Sequence, residues 1–256
     1  MDSVPGTHGV PCWVSLTTGD QRAAEEFYGP VLGWSFQDSE LGPEFRVATR
    51  DGQPVAGFNE TSVSRQLPVR WTVFFSVDSA DRAGERVNER GATLAVGPLR
   101  VGDGRAAVAA DPYGAPFGLW EGEVPEGWTV GAGQAPAWLE LRTPDAFAAA
   151  VFYGEALEWS KNANQGVGYE EAQDEVHLLV DGQTVAGLRG GGVEAAPDPN
   201  VRARWDVFFR SPDLDEALAA AVRAGGEVIS TSREAPEGRA ATLRDPAGAL
   251  FCLLGE

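Results

Sequence analysis

Glu140 and Arg142 stand two positions apart in Trp138-Leu139-Glu140-Leu141-Arg142, and Asp206 and Arg210 stand four apart in Trp205-Asp206-Val207-Phe208-Phe209-Arg210. Even spacing inside an alternating apolar run marks a β-strand, which sends every second side chain to the same face. One strand therefore presents Trp138, Glu140 and Arg142 together, and another presents Asp206, Phe208 and Arg210. Two carboxylates and two guanidiniums on such faces permit two chemistries. They form a structural ion-pair network, or a partly desolvated carboxylate acts as general base while an arginine holds a developing anion. Elsewhere the same alternation pairs Trp13 with Ser15, and Thr72 with Phe74 and Ser76. These supply rings that stack and hydroxyls that orient, with no acid or base among them. His177, on an internal strand expected over 176–180, reads as a packing residue or as a third acid-base group beside Glu140 and Asp206. Cys252 has no base near it in sequence and reads as a small buried residue.

The elements that must position these groups occur twice. Trp13 and Trp138 are 125 positions apart, as are Trp34 and Trp159; Asp51-Gly52 returns 130 positions on as Asp181-Gly182. Trp71, Gly104-Arg105 and Asp111-Pro112 return 134 positions on as Trp205, Gly238-Arg239 and Asp245-Pro246. A period this long is a duplicated domain, not a solenoid. The expected boundaries are a first unit over 1–122, a Gly- and Pro-rich linker over 123–136, and a second unit over 137–256, with Trp128 docking from the linker onto a domain surface. Arg105 and Arg239 belong to the duplicated turn and are ascribed to shared architecture.

Each unit opens with a strand and continues with a helix. The first helix carries Ala24, Phe27, Tyr28 and Val31 at helical spacing and is expected to lose regularity at Gly29-Pro30. Its copy is expected to take Thr143 as N-cap and Pro144 as first residue. Strands over 45–49 and 55–58, and over 176–180 and 185–188, are joined by Asp-Gly turns. A further strand and helix then restart in each unit, the last helix capped by Ser211, started by Pro212 and stopped by Gly225. Strands over 117–120 and 250–254 close the units. Each unit thus reads as β-α-β-β-β repeated, an α+β chain of four modules, with Trp34 and Trp159 in the core.

Composition excludes several functions. A formal charge of −18 and a pI near 4.5 leave no basic stripe for nucleic acid or an anionic membrane. The surplus of carboxylates is a solvated exterior, or it steers a cationic small molecule. No apolar segment approaches the ~20 residues of a bilayer span. Residues 1–8 lack a basic start and apolar run, and Cys12 and Cys252 are too few for a disulfide framework. A cytoplasmic, reduced protein, monomer or homodimer, is expected, with His8 in a disordered start.

The strings AAEEFYGPVLGW, WTVFFSVDSADRAGERVNERGA and GRAAVAADPYGAPFGLWE, in that order and repeated, resemble the vicinal oxygen chelate superfamily, which includes glyoxalase I, extradiol dioxygenases and bleomycin-resistance proteins. The resemblance implies four βαβββ modules whose strands curl into two cups in tandem, helices outside. Metal-dependent members place His, Gln or Glu on the first strand of each module and Glu on the last strand of a unit. Those positions here are Trp13, Thr72 and Gly118, then Trp138, Asp206 and Cys252. Asp206 and Cys252 could each ligate something, yet three protein ligands are needed. No metal and no cofactor are therefore expected. The leading functional expectation is a metal-free binder of a hydrophobic, aromatic and, as one option, cationic natural-product-like molecule. Its ligand side would comprise Trp13, Ser15, Thr72, Phe74, Trp120, Trp138, Arg142, Phe208, Arg210 and Cys252. The alternative is a cofactor-independent cyclase, isomerase or ring-opening enzyme using Glu140, Asp206 and His177 in the second cup.

Overall fold

In the computed structural model, residues 3–60, 68–161, 163, 167–172, 175–191, 202–235 and 238–255 are described. After a short strand β1 (Ser3–Pro5), a first module comprises β2 (Pro11–Thr18), α1 (Gln21–Leu32), β3 (Ser35–Asp38), β4 (Phe45–Arg50) and β5 (Gln53–Glu60). The second comprises β6 (Arg70–Ser76), α2 (Ala80–Glu89), β7 (Thr93–Val101), β8 (Gly104–Ala110) and β9 (Pro116–Glu121), followed by β10 (Glu123–Pro125). The third comprises β11 (Trp138–Thr143), α3 (Ala146–Ala156), β12 (Val167–Ala172), β13 (Glu175–Val180) and β14 (Gln183–Gly190). The fourth comprises β15 (Arg204–Ser211), α4 (Leu214–Arg223), β16 (Glu227–Ala235), β17 (Gly238–Arg244) and β18 (Leu250–Gly255). The α+β reading and the four βαβββ modules hold. Two eight-stranded sheets result, ordered β3-β4-β5-β2-β6-β9-β8-β7 and β12-β13-β14-β11-β15-β18-β17-β16.

Local chemistry places these elements. The hairpins β4-β5 and β13-β14 turn on Asp51-Gly52 and Asp181-Gly182, with φ of 51° at each aspartate and 76° at each glycine. Positive φ at both central residues is the I′ turn that matches strand twist, and Asp-Gly is the pair that tolerates it. Three of the four helices start on an aspartate: the side chains of Asp20, Asp145 and Asp213 accept from the N–H groups of Ala23, Ala148 and Glu216, each at 2.9 Å. Thr143 and Ser211 are thus not the caps. Both lie at the ends of strands β11 and β15, buried, and the carboxylate two residues on takes the free N–H instead. Helix α1 also runs through Pro30 to Leu32 and ends on Gly33 at φ 68°. Its proline falls in the last turn, where the lost donor costs one hydrogen bond and does not stop the helix.

By compactness the chain divides into two units that interleave the modules. One holds 1–13, 73–126 and 139–205, and the other holds 14–72, 127–138 and 206–256. The first contains the bulk of the second and third modules. In it Phe75, Phe117, Tyr153, Trp159 and Trp205 are buried and meet as rings, Phe75 to Trp205 and Tyr153 to Trp205 each at 5.5 Å. His8 belongs to this unit and is buried, not disordered: its Nδ1 accepts the Asp78 N–H at 2.9 Å and its Nε2 lies 3.5 Å from Glu158. The second unit contains the bulk of the first and fourth modules, with Tyr28, Trp34, Phe58, Trp71, Phe209 and Phe251 as its ring core. Residues 127–138 are part of that unit. Trp128 is buried and donates to the Val55 carbonyl at 2.8 Å, and Arg210 donates to the Gly131 and Ala135 carbonyls at 2.8 and 3.4 Å.

Candidate functional site: a charged sheet face and an aromatic one

Strand β11 buries Leu139 and Leu141 on one side and presents Glu140 and Arg142 on the other. Its register with β14 sets Glu140 opposite Gly187 and Arg142 opposite Arg189. The next strand, β13, sets His177 opposite Gly187 and Glu175 opposite Arg189, and β12 sets Glu170 opposite His177. Six side chains on one face are thereby joined in a chain. Arg142 Nε is 2.7 Å from Glu140 Oε1, Arg189 Nε is 3.9 Å from Glu140 Oε2, and Arg189 also pairs with Glu175. His177 continues it, with Nε2 3.3 Å from Glu175 and Nδ1 3.7 Å from Glu170.

Burial ranks these contacts. The Glu140 side chain is 7% exposed while those of Arg142 and Arg189 are 39% and 36% exposed. A buried carboxylate without cationic partners would be costly, and the two guanidiniums stand at 2.7 and 3.9 Å from this one. The outer pairs through Glu170 are solvent-screened and contribute little. Arg142 meets Glu140 from the side, with no acceptor in line with its Nε–H.

On β6 and β9 of the same unit, Phe74 lies opposite Gly118. A Cβ on Gly118 would stand 2.2 Å from Phe74 Cδ1, so the ring lies directly on the glycine. Trp120 covers Gly104 in the same manner and donates its Nε1–H to the Glu123 carbonyl at 2.8 Å. Both rings remain half-buried, as does Trp13 on β2. The other unit holds Ser15, half-buried, and Thr72, buried. It also holds Trp138, Asp206, Phe208, Arg210 and Cys252. Phe208 faces Cys252 across the β15-β18 pair and packs on Ala137, Ala240 and Leu254. Asp206 is 4% exposed, and Cys252 is 1% exposed with its sulfur 3.5 Å from Thr242 Oγ1. Glu140 and His177 thus share one compact unit and Asp206 lies in the other.

Two buried relays went unforeseen. Trp71 donates its indole N–H to the Tyr28 hydroxyl at 3.0 Å, and that hydroxyl donates to Asp245 at 3.0 Å. The copy is Trp205 to Tyr153 at 2.9 Å and Tyr153 to Asp111 at 3.2 Å. Burial pushes both aspartates above the ordinary carboxylate range, against backbone N–H groups that pull the other way. Burial and the adjacent carboxylate push both tyrosines well up. Both tyrosines are fully buried and packed against neighbouring rings, so these relays fasten the core. The repeat marks their members, since Trp, Tyr and Asp each recur at matching positions, but not which of them pair.

The six positions at which related proteins hold a metal do not make a site here. Trp13 and Trp138 offer no donor of metal-ligand type, Thr72 offers a weak hydroxyl, and the Gly118 position is roofed by the Phe74 ring. Asp206 and Cys252 are two donors without a third, and no group of three or more His, Cys, Asp or Glu suited to a metal occurs among the described residues.

Two eight-stranded sheets built from four βαβββ modules define a tandem vicinal oxygen chelate fold. The family model described as a glyoxalase-like domain matches residues 13–120 and again 138–254, and the chain belongs to that family. Among curated relatives, it is 33% identical over 259 residues to the putative glyoxylase CFP32 of Mycobacterium tuberculosis, covering 96% of this chain and 94% of that one. It is 33% identical over 264 residues to the anthracycline biosynthesis protein DnrV of Streptomyces peucetius, covering 96% and 93%. Among solved structures, a catechol 2,3-dioxygenase matches with a TM-score of 0.58 at 12% identity, over 98% of this chain and 89% of the other. The Mn(II)-bound glyoxalase from Novosphingobium aromaticivorans matches with a TM-score of 0.58 at 12% identity, over 98% and 83%. These two likenesses concern the fold. No described helix is long and apolar enough to cross a membrane.

Proposed function

We propose that the chain is a metal-free binding protein for a hydrophobic, aromatic, natural-product-like small molecule, which it sequesters or holds as a pathway intermediate. The observation that carries this reading is the Phe74 ring seated on Gly118, where a metal-binding relative would project a carboxylate. A ring that fills a ligand position closes it to a divalent ion and leaves an apolar surface suited to stacking and area burial. The half-buried Trp13, in the same unit, is a further apolar ring, and Trp138 is its half-buried counterpart in the other unit. The relative named for anthracycline biosynthesis supports a natural-product setting. Fluorescence titration of Trp13→Ala and Trp138→Ala with a planar aromatic probe tests the reading. Each is expected to weaken binding by about 1–3 kcal/mol if the indole stacks on the ligand, and unchanged affinity in both rejects it.

A second reading, cofactor-independent acid-base catalysis, is favoured by one feature: Glu140 and Asp206 are carboxyl groups buried on strands whose other faces pack the core. Turnover of a co-purified ligand by the wild-type protein, lost in Asp206→Asn or Glu140→Gln with binding retained, would select it, because a general base acts on rate by roughly 100- to 10,000-fold and little on affinity.

A further inference from the structure

We propose that Arg142 is a specificity-determining residue which recognises an anionic oxygen, a carboxylate or phenolate, on the aromatic ligand. This inference rests on the small-molecule reading above and narrows the ligand class.

Arg142 is held at one end only. Its Nε side meets the buried Glu140 carboxylate at 2.7 Å, while its two terminal nitrogens have no acceptor among the described residues and the side chain is 39% exposed. Arg189 beside it is committed on both flanks, to Glu140 and to Glu175, and Glu175 is backed in turn by His177. A guanidinium held on its Nε side by an ion pair, without a hydrogen bond there, turns its outer edge away from Glu140, and that edge is a planar pair of donors matched to the two oxygens of a carboxylate.

The fold does not require these charges. At the equivalent positions of the first copy, 125 and 130 residues earlier, Glu140, Arg142 and Arg189 are replaced by Ser15, Thr17 and Asn59, and β2 and β5 still pair there in parallel. A buried carboxylate stands where a serine suffices, and the guanidinium nearest to it is that of Arg142, at 2.7 Å. The overall charge of −18 sharpens the point, since the long-range field repels anions and capture of one must depend on local donors.

The test compares two probes of the same shape, anthracene-2-carboxylate and the neutral anthracene-2-carboxamide, by fluorescence titration of the full chain. Wild type is expected to bind the carboxylate about tenfold more tightly, a difference of ~1.4 kcal/mol. Arg142→Gln should erase that preference, lowering affinity for the carboxylate far more than for the carboxamide. Arg142→Lys, which keeps the charge and loses the planar fork, should retain part of it. Circular dichroism confirms that the variants fold, as an exposed side chain leads one to expect. Equal affinity of wild type for both probes, or an Arg142→Gln loss that falls equally on both, overturns the proposal and leaves the aromatic-ligand reading standing. No binding of either probe overturns both.

Discussion

Gly118→Ala should destabilise the protein through one identifiable contact. The added Cβ would stand 2.2 Å from Phe74 Cδ1, 2.4 Å from Cε1 and 2.6 Å from Cγ. Carbon atoms rest at about 3.5–4.0 Å, so the ring must retreat by at least ~1 Å. Cγ is bonded directly to the Phe74 Cβ, and Phe74 is fixed opposite Gly118 in the β6-β9 pair, so a turn of the ring about its own axis gives no relief. Overpacking of this kind costs about 1–3 kcal/mol. At the size of this chain each kcal/mol lowers Tm by roughly 2–4 °C. Urea denaturation of wild type, Gly118→Ala, Phe74→Ala and the double variant measures the contact itself. Because Phe74→Ala removes the obstructing ring, Gly118→Ala should cost nearly nothing in that background, a coupling of about 1–3 kcal/mol. Independent, additive effects, or a Gly118→Ala loss below about 0.5 kcal/mol, would refute the claim that the ring occupies this position.

The buried relays make two further predictions. Tyr28→Phe and Tyr153→Phe each leave an aspartate and an indole N–H short of a partner, and each should cost about 1–3 kcal/mol by chemical denaturation. The two relays share no residue, so the double variant should lose close to the sum. Asp111 and Asp245 have folded pKa values raised above the unfolded value, so the folded state binds more protons between the two values. Their contribution to stability is therefore fully present below the unfolded pKa and is lost as pH rises through the folded one. Measured against Asp111→Asn, whose amide does not titrate in this range, wild type should gain stability between pH 7 and pH 4; a difference that stays flat with pH contradicts the assignment.

Much of the architecture is legible because the chain writes it twice. The duplicated strings mark the same strands and helices in both copies, and Asp-Gly pairs fix the hairpin turns through a local φ requirement that no distant contact overrides. The helix starts were harder. Thr143-Pro144-Asp145 and Ser211-Pro212-Asp213 each offer two capping side chains. The choice between them depends on how far the preceding strand stays paired, which is a tertiary fact. His8 illustrates the same limit, since nothing in its neighbours announces that Asp78 and Glu158 will enclose it. The alternation that joins Glu140 to Arg142 is visible in the strand itself, whereas Arg189, Glu175 and Glu170 enter through cross-strand register. The Trp-Tyr-Asp relays span separations of 43 and 217 positions in one and 52 and 42 in the other, each taking its aspartate from the opposite copy. No periodicity encodes such pairings.

Residues that the two copies share and residues in which they differ fall into distinct groups. Trp71 and Trp205, Tyr28 and Tyr153, and Asp245 and Asp111 are identical between copies, and all six are buried. Across the faces opposite the buried strand residues, Trp13 and Trp138 agree, as do Phe74 and Phe208, but the polar positions diverge in one direction. Ser15, Thr17, Asn59, Thr72 and Ser76 in the first copy stand against Glu140, Arg142, Arg189, Asp206 and Arg210 in the second. Five neutral side chains facing five charged ones is not what drift on a solvated surface would favour, because Glu140 and Asp206 are buried and a buried charge demands partners that a serine or threonine does not. The aromatic residues common to both copies suit recognition of a flat apolar body, and the charges confined to the second suit discrimination by a polar substituent. If so, variants at Trp13 and Trp138 should alter affinity for every aromatic ligand, and variants at Arg142 should alter only the choice among them.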